Sequence, residues 1–191
     1  EMETGRLMAT LQPGSFVYAV DYAPGGRQIV SGAQQYSEAN TIKLWDAATG
    51  RLIRSFGNYK RSVYGMKFSA DGRTLLTGGD ELLLWDVSRG MVKRNFVGHQ
   101  DTIYAVGFLA GGKQIVSAGY DGTMRLWNVD TGREIAQFIS FSDGEWIVIT
   151  PGGYYNASPK GDGPLNVRVG NGVYGIENYR EAFFRPDLVK V

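Results

Sequence analysis

The sequence predicts an all-β fold, a β-propeller built from four-stranded blades, and three observations predict it. A Leu-Trp-Asp or Leu-Trp-Asn tripeptide recurs with its tryptophans 40 and then 42 residues apart, at Trp45, Trp85 and Trp127. Runs of alternating apolar residues precede each tryptophan, which is typical of short β-strands. Glycine makes up 27 of the 191 residues, about twice its usual share of ~7%, and this indicates many tight turns. Four short antiparallel strands in each ~40-residue unit make one propeller blade.

Each of the three units predicts the same order of strands. The innermost strand comes first, a tight turn and a second strand follow, the tryptophan marks the third strand, and a glycine turn leads into the fourth. The predicted innermost strands are residues 17–22, 63–68 and 103–108, and the second strands are residues 28–31, 74–77 and 114–117. The first unit carries an insertion at residues 34–39, and the second is one residue short between Thr77 and Asp80. Together the units predict three blades over residues 12–140.

The N-terminal residues look like the end of a unit and not its beginning. Residues 1–6 align with residues 46–51 and 128–133, so the chain starts just after the place of a preceding tryptophan. Residues 1–11 are therefore predicted to be the outer strand of a preceding blade or of a partner's blade. We expect the sequence to be part of a longer propeller.

A degenerate fourth blade is predicted over residues 141–176. The tryptophan signature fades after Phe138, but three later stretches still alternate between apolar and polar residues, as strands do. These stretches are residues 146–150, 154–158 and 165–169. Residues 173–176 are predicted to be the outer strand of this blade.

A helical tail or linker is predicted for residues 177–191. Asn178 is a residue type that caps helices, and the pattern predicts a short helix from there through Phe184. Pro186 then interrupts it.

The third unit carries the motif by which the chain resembles the WD-repeat family. The motif residues are Gly98-His99, Ser117, Asp121-Gly122 and Trp127-Asn128. In that family a histidine, a serine or threonine, an aspartate and the tryptophan form a hydrogen-bonded chain that ties the strands of a blade together. The resemblance implies this structural role for His99, Ser117, Asp121 and Trp127, since a buried imidazole and carboxylate each need a partner. The first two units lack the Gly-His pair, so we expect their networks to be incomplete.

The C-terminal segment carries a second resemblance. Its motifs are Asp143-Gly144-Glu145-Trp146, Tyr154-Tyr155-Asn156-Ala157-Ser158 and Tyr179-Arg180-Glu181. It is similar to a stretch that follows WD repeats in bacterial proteins with a caspase-like peptidase domain. The segment has no catalytic motif of its own, so this resemblance implies a parent protein in which a scaffold or sensor is fused to a peptidase.

Composition excludes several classes of function. Lysine and arginine number 20 against 19 aspartates and glutamates, with no basic block, so nucleic acid is not expected as a partner. The absence of cysteine excludes disulfides, thiolate metal sites and a cysteine nucleophile within these residues. His99 is the one histidine, and the resemblance implies a structural role for it, so no catalytic residue, metal or cofactor is predicted. No apolar run approaches the ~18 residues of a membrane span, and a cytoplasmic location is the default expectation.

Three tyrosines at one repeat position are the candidate partner-binding residues. Tyr18, Tyr64 and Tyr104 each lie near the start of an innermost strand, toward the face that the resembled family uses for partners. With Arg61 and Asp101 just ahead of two of them, they could ring the channel mouth and grip a protein or peptide, because tyrosine offers large contact at low entropic cost. Packing between blades is the alternative role of the three tyrosines.

Four predicted blades would form an open arc and not a closed ring. Each blade packs against two neighbours, so an open arc of four blades leaves one apolar face bare at either end. A homodimer could close an eight-blade ring, with residues 6–11 of each chain completing the fourth blade of the other. Blades elsewhere in the same natural polypeptide are the other solution.

The predicted function is non-catalytic recognition of a protein or peptide by a scaffold or sensor module of a bacterial protein. The alternative is the regulatory region of a caspase-like peptidase whose catalytic domain lies outside these residues. A purely structural role in self-assembly is the third possibility.

Overall fold

The structure is a computed structural model that describes residues 7, 9–35, 40–109 and 111–189. The strand expected within residues 1–11 lies largely outside the described residues, and so do residues 36–39 of the insertion in the first unit. The described part of the chain is all-β apart from one turn of 3₁₀ helix and one of α-helix, which confirms the predicted fold class. No helix in this part is long and apolar enough to span a membrane.

The three predicted units fold in the predicted strand order. The first blade contains β1 (Val17–Tyr22), β2 (Gln28–Ala33), β3 (Ile42–Asp46) and β4 (Leu52–Ser55). The second contains β5 (Val63–Phe68), β6 (Thr74–Gly79), β7 (Leu82–Asp86) and β8 (Met91–Phe96). The third contains β9 (Ile103–Phe108), β10 (Gln114–Gly119), β11 (Thr123–Asn128) and β12 (Glu134–Ser140). Within each blade, neighbours in sequence are antiparallel neighbours in the sheet.

The turn after each tryptophan strand shows why these residues reverse the chain. Asp46 Oδ1 accepts hydrogen bonds from the Thr49 backbone N–H at 2.8 Å and from the Thr49 hydroxyl at 2.7 Å. Asn128 holds the equivalent turn in the third blade through the Thr131 backbone N–H at 2.8 Å. A positive φ of 69° follows at Gly50, a conformation that glycine adopts without steric cost.

The expected fourth blade is present as strands but not as a separate four-stranded sheet. Its strands are β13 (Trp146–Ile149), β14 (Tyr155–Ala157), β15 (Asn166–Val169) and β16 (Gly172–Gly175). The first two extend the third blade to six strands in the order β14-β13-β12-β11-β10-β9, and the other two form a separate hairpin. The connection from β12 to β13 is a tight turn in which the Phe141 N–H donates to the Glu145 carbonyl at 2.8 Å. This turn folds β13 back onto β12, and so the chain does not step to a new sheet.

The tail contains a 3₁₀ turn (Ile176–Asn178) and the α-helix α1 (Arg180–Phe183). The predicted cap was wrong, because Tyr179 and not Asn178 precedes the helix. The Asn178 side chain instead donates to the Gly175 carbonyl at 3.3 Å, which closes the 3₁₀ turn. The helix ends one residue before the predicted Phe184, which pairs with Tyr155 in an isolated bridge.

The apolar core lies between neighbouring blades. We call the sheet surface toward the preceding blade the leading face, and the surface toward the following blade the trailing face. The trailing face of the first blade packs on the leading face of the second in one cluster, and the second and third blades form another. Each junction contains a tryptophan set edge-on against a phenylalanine of the preceding blade, with ring centroids 5.9 Å apart for Phe56 and Trp85 and 5.9 Å for Phe96 and Trp127.

Two glycines let the blades approach closely at these junctions. A Cβ atom on Gly32 would lie 2.7 Å from Val63 Cγ1, and one on Gly78 would lie 2.7 Å from Ile103 Cγ2. Both distances are far below van der Waals contact. The innermost strand of each following blade therefore rests directly on the glycine backbone of the blade before it.

Candidate functional site

The third blade brings together the four residues of the predicted structural network. His99 Nδ1 lies 2.9 Å from Asp121 Oδ2, and His99 Nε2 lies 2.7 Å from Ser117 Oγ. Trp127 Nε1 donates to the same serine oxygen at 2.9 Å. Because Asp121 offers only acceptors, the proton on Nδ1 of His99 points to it. The network joins the strand-connecting loops to β10 and β11 inside the blade.

Hydrogen bonds stabilise the negative charge of Asp121 within the network. Burial by itself raises the pKa of a carboxyl group, but hydrogen bonds from the Gln100 backbone, the Thr123 hydroxyl and His99 outweigh it. They lower the pKa of Asp121 from its ordinary 3.8 to about 2. The carboxylate therefore remains ionised inside the blade at neutral pH.

Ser117, His99 and Asp121 have the order and spacing of a hydrolytic triad, but the site is closed. Ser117 is 1% exposed and the His99 side chain 3% exposed, so a substrate carbonyl cannot reach the hydroxyl. The Trp127 indole also occupies one lone pair of the serine oxygen. A nucleophilic serine needs access to its substrate, and this one has a structural environment.

Arg125 extends the network and was missed in the sequence. It is 8% exposed, and its Nη1 lies 2.7 Å from Glu134 Oε2, while its Nε donates to the Thr123 hydroxyl at 3.1 Å. Gly98 makes room for it, since a Cβ there would lie 2.8 Å from Arg125 Nη1. Side chains alternate between the two faces of a strand, so Arg125 and Trp127 lie on the same face of β11. This alternation could have identified Arg125 from the sequence.

The first two blades keep half of the network, in line with the expectation of incomplete networks. Trp45 donates to Ser31 and Trp85 donates to Thr77, both at 2.9 Å. In the second blade Tyr59 stands four residues before the innermost strand, the place of His99 in the third. Its ring lies edge-on to Trp85 with centroids 5.5 Å apart, and burial, with Glu81 and Asp80 nearby, raises its pKa. Sequence reasoning missed Tyr59, although its register position was readable.

The three predicted tyrosines form a continuous row across the blades. Tyr18 and Tyr64 have ring centroids 5.2 Å apart, and Tyr64 and Tyr104 are also 5.2 Å apart, with the planes tilted by 57° and 50°. Tyr120 continues the row 6.3 Å beyond Tyr104 and was not predicted. Tyr18, Tyr104 and Tyr120 are 53%, 51% and 73% exposed. We call these four residues the tyrosine row; it both packs between blades and presents an aromatic surface.

Arg61 and Asp101 are not brought onto the tyrosine row by any contact seen in the described residues. The Arg61 guanidinium lies 3.8 Å from Asp80 and 3.9 Å from Glu81, in an exposed ion pair. Asp101 accepts a hydrogen bond from the Thr102 backbone N–H at 2.6 Å. Both lie near the row in sequence, but the structure shows them in local interactions.

We find no candidate metal site among the residues that the structure describes. No group of three histidine, aspartate or glutamate side chains stands close enough there to hold a metal ion.

Comparison with known proteins identifies the repeat. The family model "WD domain, G-beta repeat" matches residues 5–46, 50–86 and 90–128. Among solved structures, the crystal structure of RRP9 WD40 repeats is similar, with 20% sequence identity and a TM-score of 0.61. The likeness covers 78% of this chain and 49% of that chain, so this chain spans about half its length and shares its fold. No curated protein matches the sequence.

Proposed function

The chain belongs to the WD40-repeat family, and from this premise we propose that it is a non-catalytic scaffold or sensor module that binds a protein or peptide through its tyrosine row. WD40 repeats in general serve as platforms for protein interaction. The observation that supports the site is the unbroken row of aromatic rings over three blades, in which Tyr18, Tyr104 and Tyr120 are each more than half exposed. Arg61 and Asp101 are proposed as flanking contacts that a partner would recruit.

Tyrosine suits this role for physical reasons. Two side-chain torsions fix a large amphipathic ring, so little conformational entropy is lost on binding. In the row each ring supports its neighbour, and the rings are held before a partner arrives. The Tyr18 hydroxyl donates to Gln34 at 2.6 Å, and the other hydroxyls can serve a peptide backbone.

The test is a selection from a random displayed peptide library on the immobilised chain, followed by fluorescence anisotropy with the enriched peptide. We expect the double variant Y64A/Y104A to lose at least about tenfold in affinity, since aromatic anchors dominate such interfaces. The melting temperature should change little, because Tyr104 is 51% exposed and Tyr64 is partly exposed. The control Y154A removes a similarly exposed tyrosine outside the row and should bind normally.

Two results would count against the proposal. If no peptide is enriched, or if the enriched peptide binds the double variant unchanged, the row is not the binding surface. If the double variant loses its fold, the tyrosines serve packing between blades. Hydrolysis of peptides by this chain would contradict the non-catalytic part.

The alternative proposal is that the chain is the regulatory region of a caspase-like peptidase. It is supported by the C-terminal unit, which lies outside the residues that match the repeat model and folds around a core of its own. In that core the hydroxyl of the buried Tyr155 donates to Asp162 at 3.0 Å. Any peptidase activity would belong to residues outside these 191, since they contain no cysteine. The bacterial origin and cytoplasmic location stay predictions.

A homodimer that completes an eight-blade ring also stays a proposal. The described strands supply three blades and an extended sheet in each copy. Self-association would depend on the faces at the two ends of the arc, and Tyr18 of the tyrosine row lies on the strand that forms one of them.

A further inference from the structure

One arginine at the junction of the first two blades has a buried nitrogen without a hydrogen-bond partner. Arg54 lies on β4 opposite Leu44, and its Cδ is 3.5 Å from the position that a Cβ on Gly90 of the second blade would take. Its Nε atom is buried, yet no oxygen of the described residues accepts the Nε proton. Because a buried donor without an acceptor is costly, this position favours an oxygen atom supplied from outside the chain.

The third blade shows how a buried arginine is satisfied when the chain itself supplies the acceptors. Arg125 is 8% exposed, and its Nη1 lies 2.7 Å from the Glu134 carboxylate. Its Nε donates to the Thr123 hydroxyl at 3.1 Å. Arg54 has no such partner among the described residues, so it lacks the anion that Arg125 has.

Arg54 lines a cavity of about 490 Å³ between the first two blades, which we call the basic groove. Arg73, just before β6, and Lys93, on β8, line it as well. The fourth charged residue of the groove is Asp86, whose Oδ1 accepts a hydrogen bond from the Ser88 hydroxyl at 2.7 Å. Three cations against one carboxylate leave a surplus of two positive charges.

The cations of the groove are not neutralised by neighbouring carboxylates. None of the three forms an ion pair with a described residue, whereas Lys67 outside the groove pairs with Asp21 at 2.8 Å. Asp71 lies two residues before Arg73, but its carboxylate accepts from the Ser69 hydroxyl at 2.6 Å and from the Arg73 backbone N–H at 3.0 Å. The guanidinium of Arg73 is therefore available to a ligand.

We propose that the basic groove binds a phosphate monoester, with Arg54 and Arg73 as hydrogen-bond donors and Lys93 as a neighbouring positive charge. A phosphate monoester has a charge of about −1.5 to −2 at neutral pH and three terminal oxygens, which matches the surplus of two positive charges. A carboxylate would balance only one of them. The planar fork of an arginine also suits two phosphate oxygens at once.

The basic groove and the tyrosine row lie at opposite ends of the innermost strands. Tyr64 is near the start of β5, whereas Gly72 and Arg73 follow the end of that strand. Tyr18 is near the start of β1, and Gln28, which lines the groove, comes after the turn that follows β1. Failure of phosphate binding would therefore leave the peptide-binding proposal untouched.

The experiment is an NMR titration of the isotope-labelled chain with glycerol phosphate, in which the arginine Nε–H signals are followed. The Arg54 signal can be identified as the one that is missing in R54K. It should shift until it saturates, because its proton gains an acceptor. Sodium chloride at the same ionic strength should leave the signal in place. The absence of a saturable shift with glycerol phosphate would overturn the proposal.

Variants of the groove test which side chains hold the phosphate. R73Q should weaken the binding of glycerol phosphate by at least about tenfold, since a hydrogen bond between charged groups is lost. K93Q should weaken it by about threefold, and because Lys93 is exposed this loss would not come from unfolding. The matched control is R133Q, which removes the same charge from the exposed turn before β12, outside the groove, and should bind like the native chain. Equal binding by R73Q, K93Q and R133Q would contradict the assignment.

A phosphoserine peptide with glycine on both sides distinguishes two sources of the phosphate. If it binds at least about tenfold more tightly than glycerol phosphate, the groove recognises a phosphorylated side chain of another protein. If the two bind equally, the groove recognises the phosphate of a small molecule. Either result supports a phosphate site, whereas binding of the unphosphorylated serine peptide with the same affinity would overturn it.

Discussion

At the scale of single residues, the third blade is held by a buried polar chain whose members each have a partner. Ser117 receives the Trp127 indole, His99 joins Ser117 to Asp121, and Arg125 pairs with Glu134. Each bond is worth more in this buried setting than at the surface, and loss of one partner leaves another group unsatisfied. The network therefore serves the stability of one blade and not chemistry on a substrate.

Asp121 should make the stability of the third blade depend on pH. A carboxyl group with a lowered folded pKa contributes stability above its unfolded pKa and loses it as the pH falls through the folded value. The contribution should be complete above about pH 4 and disappear toward pH 2, and its size is about 2 kcal/mol. The measurement is the free energy of unfolding in urea at a series of pH values for the native chain and D121N. The difference in the free energy of unfolding between the native chain and D121N should become smaller as the pH falls from 5 to 2. A difference that stays constant would contradict the lowered pKa of Asp121.

The residues of this network were predicted from the resemblance to the WD-repeat family, and two of their neighbours were missed. His99, Ser117, Asp121 and Trp127 occupy the positions of that family's motif, which is why they could be named. Tyr59 and Arg125 depend on which side chain faces which sheet once the blades are packed, and spacing carries that information only after the register is known. Their roles became clear from contacts to Trp85 and Glu134.

At the scale of elements, the regular blades were predictable because turn residues and alternating strands agree in each unit. The C-terminal strands were also located in the sequence, but their pairing was not. The alternation of apolar and polar residues indicates where the strands lie. The short turn after β12 decides which strand pairs with β13. The Asp143-Gly144 pair in that turn is typical of a β-hairpin, and the prediction of a separate fourth blade did not take it into account.

The junction glycines give a prediction for β6. G78A should destabilise the chain by about 1–3 kcal/mol, because the new methyl group would meet the β-branched Ile103 and Val106, whose side chains cannot turn away easily. G107A is the matched control, since a Cβ there would make an ordinary 3.5 Å contact with Val116. Urea unfolding of both variants is the measurement. Equal stability of G78A and G107A would show that the blades can separate at no cost.

At the scale of the whole molecule, the first blade packs on the second and the second packs on the third, which gives an arc. Stability in such an array comes from each unit and from the junctions between units. The second blade has a junction on both faces, whereas the first and the third each share one junction with it. The second blade is therefore the most strongly supported of the three.

This arrangement predicts a gradient of hydrogen exchange at concentrations where the chain is monomeric. Backbone amides of β6 should exchange more slowly than the equivalent amides of β2 and β10, because opening the second blade breaks two junctions while opening a terminal blade breaks one. Mass spectrometry of peptic fragments can measure the three strands in one experiment. Equal protection in all three would mean that the arc opens as one cooperative unit.

The sheet that runs unbroken from β9 to β14 also decides how the chain would respond to tension. A pull on the C-terminal end reaches β14 and β13 before it reaches the third blade. These strands are consecutive and antiparallel, so their ladder bonds would open one after another, as in unzipping, and would not have to shear all at once. The C-terminal unit would yield at low force and lengthen the chain, while the tryptophan-anchored blades stay folded behind it.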